Sequence, residues 1–415
     1  MVVSSDPIDG TDLKAQFPLL SREVHGRPIV YLDSAATSQK PLAVLETMDE
    51  YYRTINSNVH RGVYRIAEEA TNQMERSRDL VRGFIGARST AEIIFTKNAT
   101  ESLNLAALSW GRANLSSGDI VVLSHMEHHA NIVPWHMLNT EIGLELRWIP
   151  LDGQGRLDLS DLDSLLDGAR VLAVSAMSNV LGTINPIRTL TDAARRAGAI
   201  SIVDGCQSVP HLPIDVAELG ADFLAFSGHK MCGPTGIGVL YGRQELLGAM
   251  PPMLGGGEMI RDVRLDGFTT NDLPWKFEAG TPPIAEIIGL GAAVEWLQAV
   301  GMENVRAHEI ALTGYTMSSL SERFGDRIRI HGPTDPIERG GVFSFEFDGL
   351  HPHDISQVLD EHAVCVRAGH HCAKPLMKIL GVGATARASV YVYNDTTDID
   401  ALADALEEAG TFFAL

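Results

Sequence analysis

Basic residues are scarce in this chain: Lys and Arg total 33 against 53 Asp and Glu, a formal net charge of −20. Such a surface repels polyanions, which excludes nucleic acid and anionic membranes as first-choice partners. Cysteine is also sparse. Cys206, Cys232, Cys365 and Cys372 are the only four in 415 residues and lack the spacing of a disulfide scaffold, so they read as free thiols, one of them a candidate reactive group. Long apolar runs are missing. The longest charge-free run, 171–187, contains Ser175, Asn179, Asn185 and Pro186 and does not suit a membrane span. The first residues, Met-Val-Val-Ser-Ser-Asp-Pro, lack the basic and apolar parts of a secretion signal, so a cytoplasmic location is expected. Glycine and proline, 39 and 19, are too scattered for low-complexity sequence or a fixed-period repeat. What remains is ordinary globular composition, 45% apolar and 21% charged, long enough for two or three domains.

Short β-branched runs alternate with helical stretches through the first two-thirds: 92–96, 120–124, 171–175, 199–204 and 221–227, with a helix over 189–198 that Gly198 stops. Uninterrupted apolar strands suit burial on both faces, hence an α/β fold with a mostly parallel sheet flanked by helices. Later the pattern changes to a long helix over 284–300, strands near 327–331 and 341–347, and a helix near 353–362, which reads as a smaller α+β domain. The expected division is an N-terminal segment 1–30 packing on the small domain, a large domain 31–290, and a small domain 291–415. No Gly/Ser-rich or Pro-rich linker separates the two domains, so they are expected to pack tightly.

In open parallel sheets ligands bind beyond the carboxyl ends of the strands, so polar residues closing apolar runs are the ones to watch. After Thr96 comes Asn98-Ala-Thr100, opening a helix whose N-terminus suits a phosphate; such a threonine taken alone is more often a plain helix cap. His125-Met-Glu127-His128-His129 closes a second run, and each imidazole could be an ordinary surface or core histidine. Asp204, with Cys206 and Gln207, closes a strongly apolar strand and needs a cationic partner or a capping role. Ser227-Gly-His229-Lys230 closes a fourth and is followed by glycines that read as a flexible stretch, 233–238. A lysine amine in a partly desolvated cleft is suited to Schiff-base chemistry. Together an anion cradle, an acid, an imidazole plate and a lysine are what a phosphorylated pyridine aldehyde requires.

A second constellation lies at 351–372, with His351, His353, His362, Cys365, Arg367, His370, His371 and Cys372. Neither C-x-x-C nor H-x-x-x-H occurs, and three adjacent ligands cannot readily close one tetrahedron, so no metal is expected. The imidazoles and Arg367 beside Cys372 favour a reactive thiolate, whereas Cys365 in an apolar run reads as inert. Gly381-Val-Gly383-Ala-Thr-Ala386 matches a dinucleotide fingerprint in letters only, since too little chain follows it for a βαβ unit. Arg387 is a candidate clamp for a carboxylate; the plain alternative is a surface ion pair.

Ser227-Gly-His-Lys230, Asp204-Gly-Cys-Gln207, Glu127-His-His-Ala-Asn-Ile-Val-Pro-Trp135, Ser178-Asn-Val-Leu-Gly-Thr183, Arg367-Ala-Gly-His-His-Cys-Ala373 and Arg387-Ala-Ser389 resemble the Suf-type (group II) cysteine desulfurases, pyridoxal 5'-phosphate enzymes of fold type I. The likeness runs from Leu32-Asp-Ser-Ala-Ala-Thr37 to Tyr393-Asn394. It implies that Lys230 holds the cofactor covalently, Asp204 pairs with the ring nitrogen, Gln207 bonds the ring hydroxyl, and His128 stacks on the ring and serves proton transfer. Thr100, Ser227 and His229 would hold the phosphate, with Thr281 arriving from the other subunit of a homodimer. Asn179 and Arg387 would meet the substrate carboxylate, and His60, Arg61 and Arg367 would form the mouth of the site. The implied reaction converts L-cysteine to L-alanine, leaves sulfur on Cys372 as a persulfide and serves iron-sulfur cluster assembly. A histidine at position 353 resembles enzymes that pass sulfur to a SufU-type zinc-dependent acceptor rather than a SufE-type one; its alternative is a helix cap. Ala176 and Cys232 depart from the family pattern. Selenocysteine lyase and a non-catalytic sulfur or metal carrier stand as alternatives.

Overall fold

The computed structural model describes residues 13–413, so the first twelve residues of the expected N-terminal segment lie outside it. A seven-stranded sheet forms the centre of the large domain: β1 (Ile93–Thr96), β2 (Ile120–Ser124), β3 (Glu145–Ile149), β4 (Ala169–Ser175), β5 (Ile200–Asp204), β6 (Phe223–Ser227) and β7 (Gly238–Gly242). Its order is β1-β7-β6-β5-β4-β2-β3, parallel throughout except for β7, which runs against both neighbours. Strands β4 to β7 are buried along nearly their whole length, which explains their lack of polar alternation. Register brings the chemistry level. Ser175 pairs with Asp204, Asp204 with Ala225, and Gly238 lies between Ser227 and Thr96, so the polar strand ends form one rim.

Two strands escape the sequence reading. β3 is an edge strand with mostly half-exposed residues, and β7 is the glycine-bounded segment that follows the stretch read as flexible. Gly238 is required where it stands: a Cβ there would meet the Asn98 backbone at 2.5 Å, where the helical stretch begins.

Four helices carry the rest of the argument: α1 (Arg65–Phe84), α2 (Ala99–Asn104, continuing as helical turns to Asn114), α3 (Ile284–Val300) and α4 (Met302–Phe324). α3 is apolar on almost every face and packs on α1 in the large domain. It runs unbroken through residue 290, and the chain turns by 71° at Gly301. Among the described residues no single helix is long and apolar enough to cross a membrane, and only the bent α3–α4 pair passes that test jointly.

The small domain is an antiparallel sheet of β8 (Ile328–Ile330), β9 (Val342–Phe347), β10 (Arg367–Gly369) and β11 (Thr385–Ser389), in the order β8-β9-β11-β10, covered by α5 (Pro352–Glu361) and α6 (Thr396–Phe413). The dinucleotide-like letters thus straddle a helix-capping glycine, Gly381, and the start of β11. Residues 13–31 touch both domains: Lys14 pairs with Asp398 at 2.7 Å, Phe17 packs on Trp296 and Tyr393, and Val30–Tyr31 pairs with Val364–Cys365.

Candidate active site

The sheet rim and the small domain enclose a cleft with roughly 830 Å³ of empty space, part of it open to solvent. Thr100, His128, Asp204, Gln207, Ser227, His229 and Lys230 line it from the large domain. Asn179 also lines it, and Arg367, Cys372 and Arg387 enter from the small domain. Residues separated by almost the whole chain therefore meet in one cavity.

Each wall has a definable chemistry. Asp204 is 5% exposed, and one carboxylate oxygen accepts from Cys206 N at 2.9 Å. Among the described residues no cation lies within ion-pair distance of it, so this buried charge lacks a direct counterion. Gln207 donates from Nε2 to Ala35 O at 2.8 Å, which leaves its buried Oε1 unpaired. Ser227 Oγ accepts from Ala99 N at 2.8 Å and so ties the β6 end to the start of α2 beside Thr100. Lys230 closes the one-turn helix Gly228–Lys230, and its amine makes no hydrogen bond among the described residues.

The histidines are held neutral. His128 Nδ1 accepts from Ala130 N at 3.0 Å, placing the ring proton on Nε2, and burial pushes its pKa down to about 4. His229 is lowered to about 4 by burial and the adjacent Lys230. His371 meets Thr385 O and Oγ1 through Nε2, and burial beside Arg387 lowers it to about 3. Of the groups expected to carry positive charge beside Cys372, the His371 ring is therefore neutral. Arg367, also expected, lines the same wall, and Arg387 adds a cation that interacts electrostatically with Cys372.

Cys372 is exposed and lies in a turn where His371 and Cys372 both take positive φ, 50° and 56°. Asn179 Nδ2 donates to His371 O at 2.6 Å, His129 N donates to Cys372 O at 2.8 Å, and Lys374 N donates to His129 Nε2 at 2.9 Å. These bonds fix the turn while leaving the thiol free. The Asn179 amide thus braces the turn, and its own carbonyl accepts from Arg387.

His60 and Arg61, expected at the mouth, are not among the residues lining this chain's cleft, and neither is Thr281, expected to come from another subunit. His60 faces Glu75 at 3.8 Å and stands edge-on to Trp275, while Arg61 pairs with Glu258 at 3.3 Å. Thr281 is exposed beside Gly280, whose N–H donates to Gly257 O. Sequence reading also missed Glu127 as a structural carboxylate. It is 1% exposed and accepts from Ser124, Asn131 and Ser175, and burial raises its pKa to about 7. Its sequence signal is an acid among the polar residues that directly follow the apolar run 120–124. Among the described residues no group of three or more His, Cys, Asp or Glu is arranged to hold a metal.

The neutral imidazoles have a consequence for stability. Their folded-state pKa values lie below the ordinary 6.5, so between about pH 6.5 and 4 the unfolded chain binds more protons and stability falls on acidification. Glu127, raised to about 7, opposes this by holding an extra proton in the folded state below that pH. The three imidazoles outweigh Glu127, so stability is expected to fall by about 3 kcal/mol between pH 7 and pH 5, read as lower urea midpoints. His371→Gln should flatten that slope; an unchanged slope would show that the ring is solvated.

A parallel sheet with one reversed strand, joined to a small antiparallel domain across a cleft holding a free lysine and a buried acid, defines a fold type I pyridoxal phosphate enzyme architecture. The chain belongs to the class-V aminotransferase family, whose model matches residues 30–402. It is 48% identical to a cysteine desulfurase of Haloferax volcanii, covering all of both chains. It is 47% identical to one of Yersinia pseudotuberculosis over 95% of this chain and 97% of that one. An apo cysteine desulfurase from Thermococcus onnurineus superposes with a TM-score of 0.91 at 43% identity, covering 96% of this chain and 97% of that chain. The Escherichia coli cysteine desulfurase CsdA does so with 0.89 at 39% identity, covering 98% and 100%.

Proposed function

We propose that this enzyme is a Suf-type cysteine desulfurase, converting L-cysteine to L-alanine and retaining the sulfur on Cys372 for iron-sulfur cluster assembly. The observation that carries the reading is that Lys230, Asp204 and Cys372 face a single cleft. Pyridoxal 5'-phosphate fits the side chains present: Asp204 offers a buried carboxylate to a protonated ring nitrogen, and the unpaired Gln207 Oε1 offers an acceptor to the ring hydroxyl. Thr100, Ser227 and His229 would meet the phosphate, with His128 against the ring. When bound, this cofactor supplies an electron sink for charge developing at the substrate Cα.

The chain's own groups then divide the work. Lys230 would carry the Cα proton, and Asp204 would keep the ring nitrogen protonated. Neutral His128 offers an N–H donor at Nε2 rather than a charge. Arg387 would bind the substrate carboxylate. Cys372 Sγ, as thiolate, would attack the substrate sulfur; the Cβ–S bond breaks, a persulfide forms on Cys372, and alanine leaves once its carbon is protonated.

A second copy of the chain would bring Thr281, His60 and Arg61 to the cleft, which is the homodimer this reading requires. The SufU-type acceptor is favoured over a SufE-type one by His353. His351, not His353, caps α5: its Nδ1 accepts from His353 N at 3.3 Å, leaving the His353 ring exposed and stacked on His351. Purified protein mixed with L-cysteine should release alanine, and a zinc-loaded SufU-type protein, with a thiol reductant present to free the transferred sulfur as sulfide, should accelerate that release at least tenfold. His353→Ala should abolish the acceleration while alanine release without the acceptor stays unchanged. Acceleration that survives the substitution would remove the partner assignment alone.

A further inference from the structure

Arg367 and Arg387 are direct register partners on β10 and β11, so their side chains leave the same face of the sheet. Like charges directly opposite each other destabilise a strand pair. Arg387 bears most of that cost, being only 2% exposed. Its Nη1 donates to Asn179 O at 3.0 Å and its Nη2 to Asp33 Oδ1 at 3.0 Å, while its buried Nε has no partner. Among the described residues Asp33 is the one carboxylate in contact with it.

Asp33 is fixed independently of that contact. Ser389 N donates to Leu32 O, Ser34 N to Ser389 O, and Ala35 N to Ser389 Oγ at 2.9 Å, so the 32–35 segment is stitched to the end of β11. Asp33 O accepts from Ala36 N and Thr37 N. The carboxylate therefore approaches Arg387 from a rigid base, and Asp33 is not among the residues that line the cleft. Burial raises its pKa, opposed chiefly by Arg387 and then by Arg367 and Lys230.

Resting on the desulfurase reading, we propose that Asp33 is a positioning residue for recognition of the substrate carboxylate: with the Asn179 carbonyl it pins both amino groups of Arg387 so that the unpartnered guanidinium donors are presented to the incoming acid. A planar fork binds a carboxylate well only when its orientation is set beforehand. Without Asp33 the guanidinium, repelled by Arg367, swings from that orientation.

The test compares ligands with and without a carboxylate on the cofactor-loaded enzyme. In Asp33→Ala, L-alanine binding, followed through the visible absorption of the bound cofactor, should weaken about tenfold. The preference in kcat/KM for L-cysteine over L-cysteine methyl ester should shrink by a similar factor, with the loss falling on KM. Asp33→Asn keeps an acceptor oxygen and should restore both quantities to within about threefold of the parent. Asp33→Ser, too short to reach Arg387, replaces the alanine variant if that one does not fold, and the same losses are expected of it. Equal losses for acid and ester, or no loss for either, would overturn the inference. A parent enzyme that releases no alanine from L-cysteine would instead sink the desulfurase reading on which it rests.

Discussion

Lys230→Ala is expected to yield a protein that folds, lacks the visible absorbance of a lysine-linked cofactor and releases alanine from L-cysteine at least a thousandfold more slowly. Removing a positioned proton-transfer group costs typically 10²–10⁴ in rate, and losing the covalent anchor adds to that. The fold should survive because the amine faces the cleft and makes no hydrogen bond among the described residues, while the turn that carries it is held by backbone contacts such as Met231 N to Gly228 O. Absorbance, circular dichroism and alanine assays on one preparation check this. A variant that keeps both colour and turnover would mean that the cleft binds its cofactor some other way, or none.

The second large effect concerns Cys372. Cys372→Ala should lose sulfur release by at least a hundredfold while retaining the parent absorbance, because the side chain is exposed and the turn is held through its carbonyl by His129. After exposure to L-cysteine, mass spectrometry of the parent should find one added sulfur, located on Cys372. Cys232 is fully buried, and Cys206 is pushed to a high pKa by burial and the adjacent Asp204, so neither competes. Full turnover of L-cysteine by the alanine variant would favour an aminotransferase-like or kynureninase-like reaction, which has no use for the thiol.

Much of this was legible in one dimension because burial imposes composition. The apolar runs at 120–124, 171–175, 199–204 and 221–227 recur as β2, β4, β5 and β6 within two residues at each end, since strands covered on both faces tolerate little else. The polar residues ending those runs marked the rim for the same reason: a strand that has finished its buried course must end at solvent or at a ligand. β7 and β3 were hidden, one by flanking glycines that serve close approach and the other by its edge position, where exposure relaxes the apolar requirement.

The amino-acid sequence by itself determined which groups exist to do chemistry, namely the lysine, the acid, the thiol and the arginine, and the alternation of strand and helix that carries them. Only the tertiary structure decided how they meet. It neutralised His371 by burying it against Thr385, tied Asn179 to the Cys372 turn, left His60, Arg61 and Thr281 out of this chain's cleft lining, and set Asp33 against Arg387. Charge state depends on burial, and orientation on partners as far away as Asp33 is from Arg387, and neither quantity is a property of local sequence.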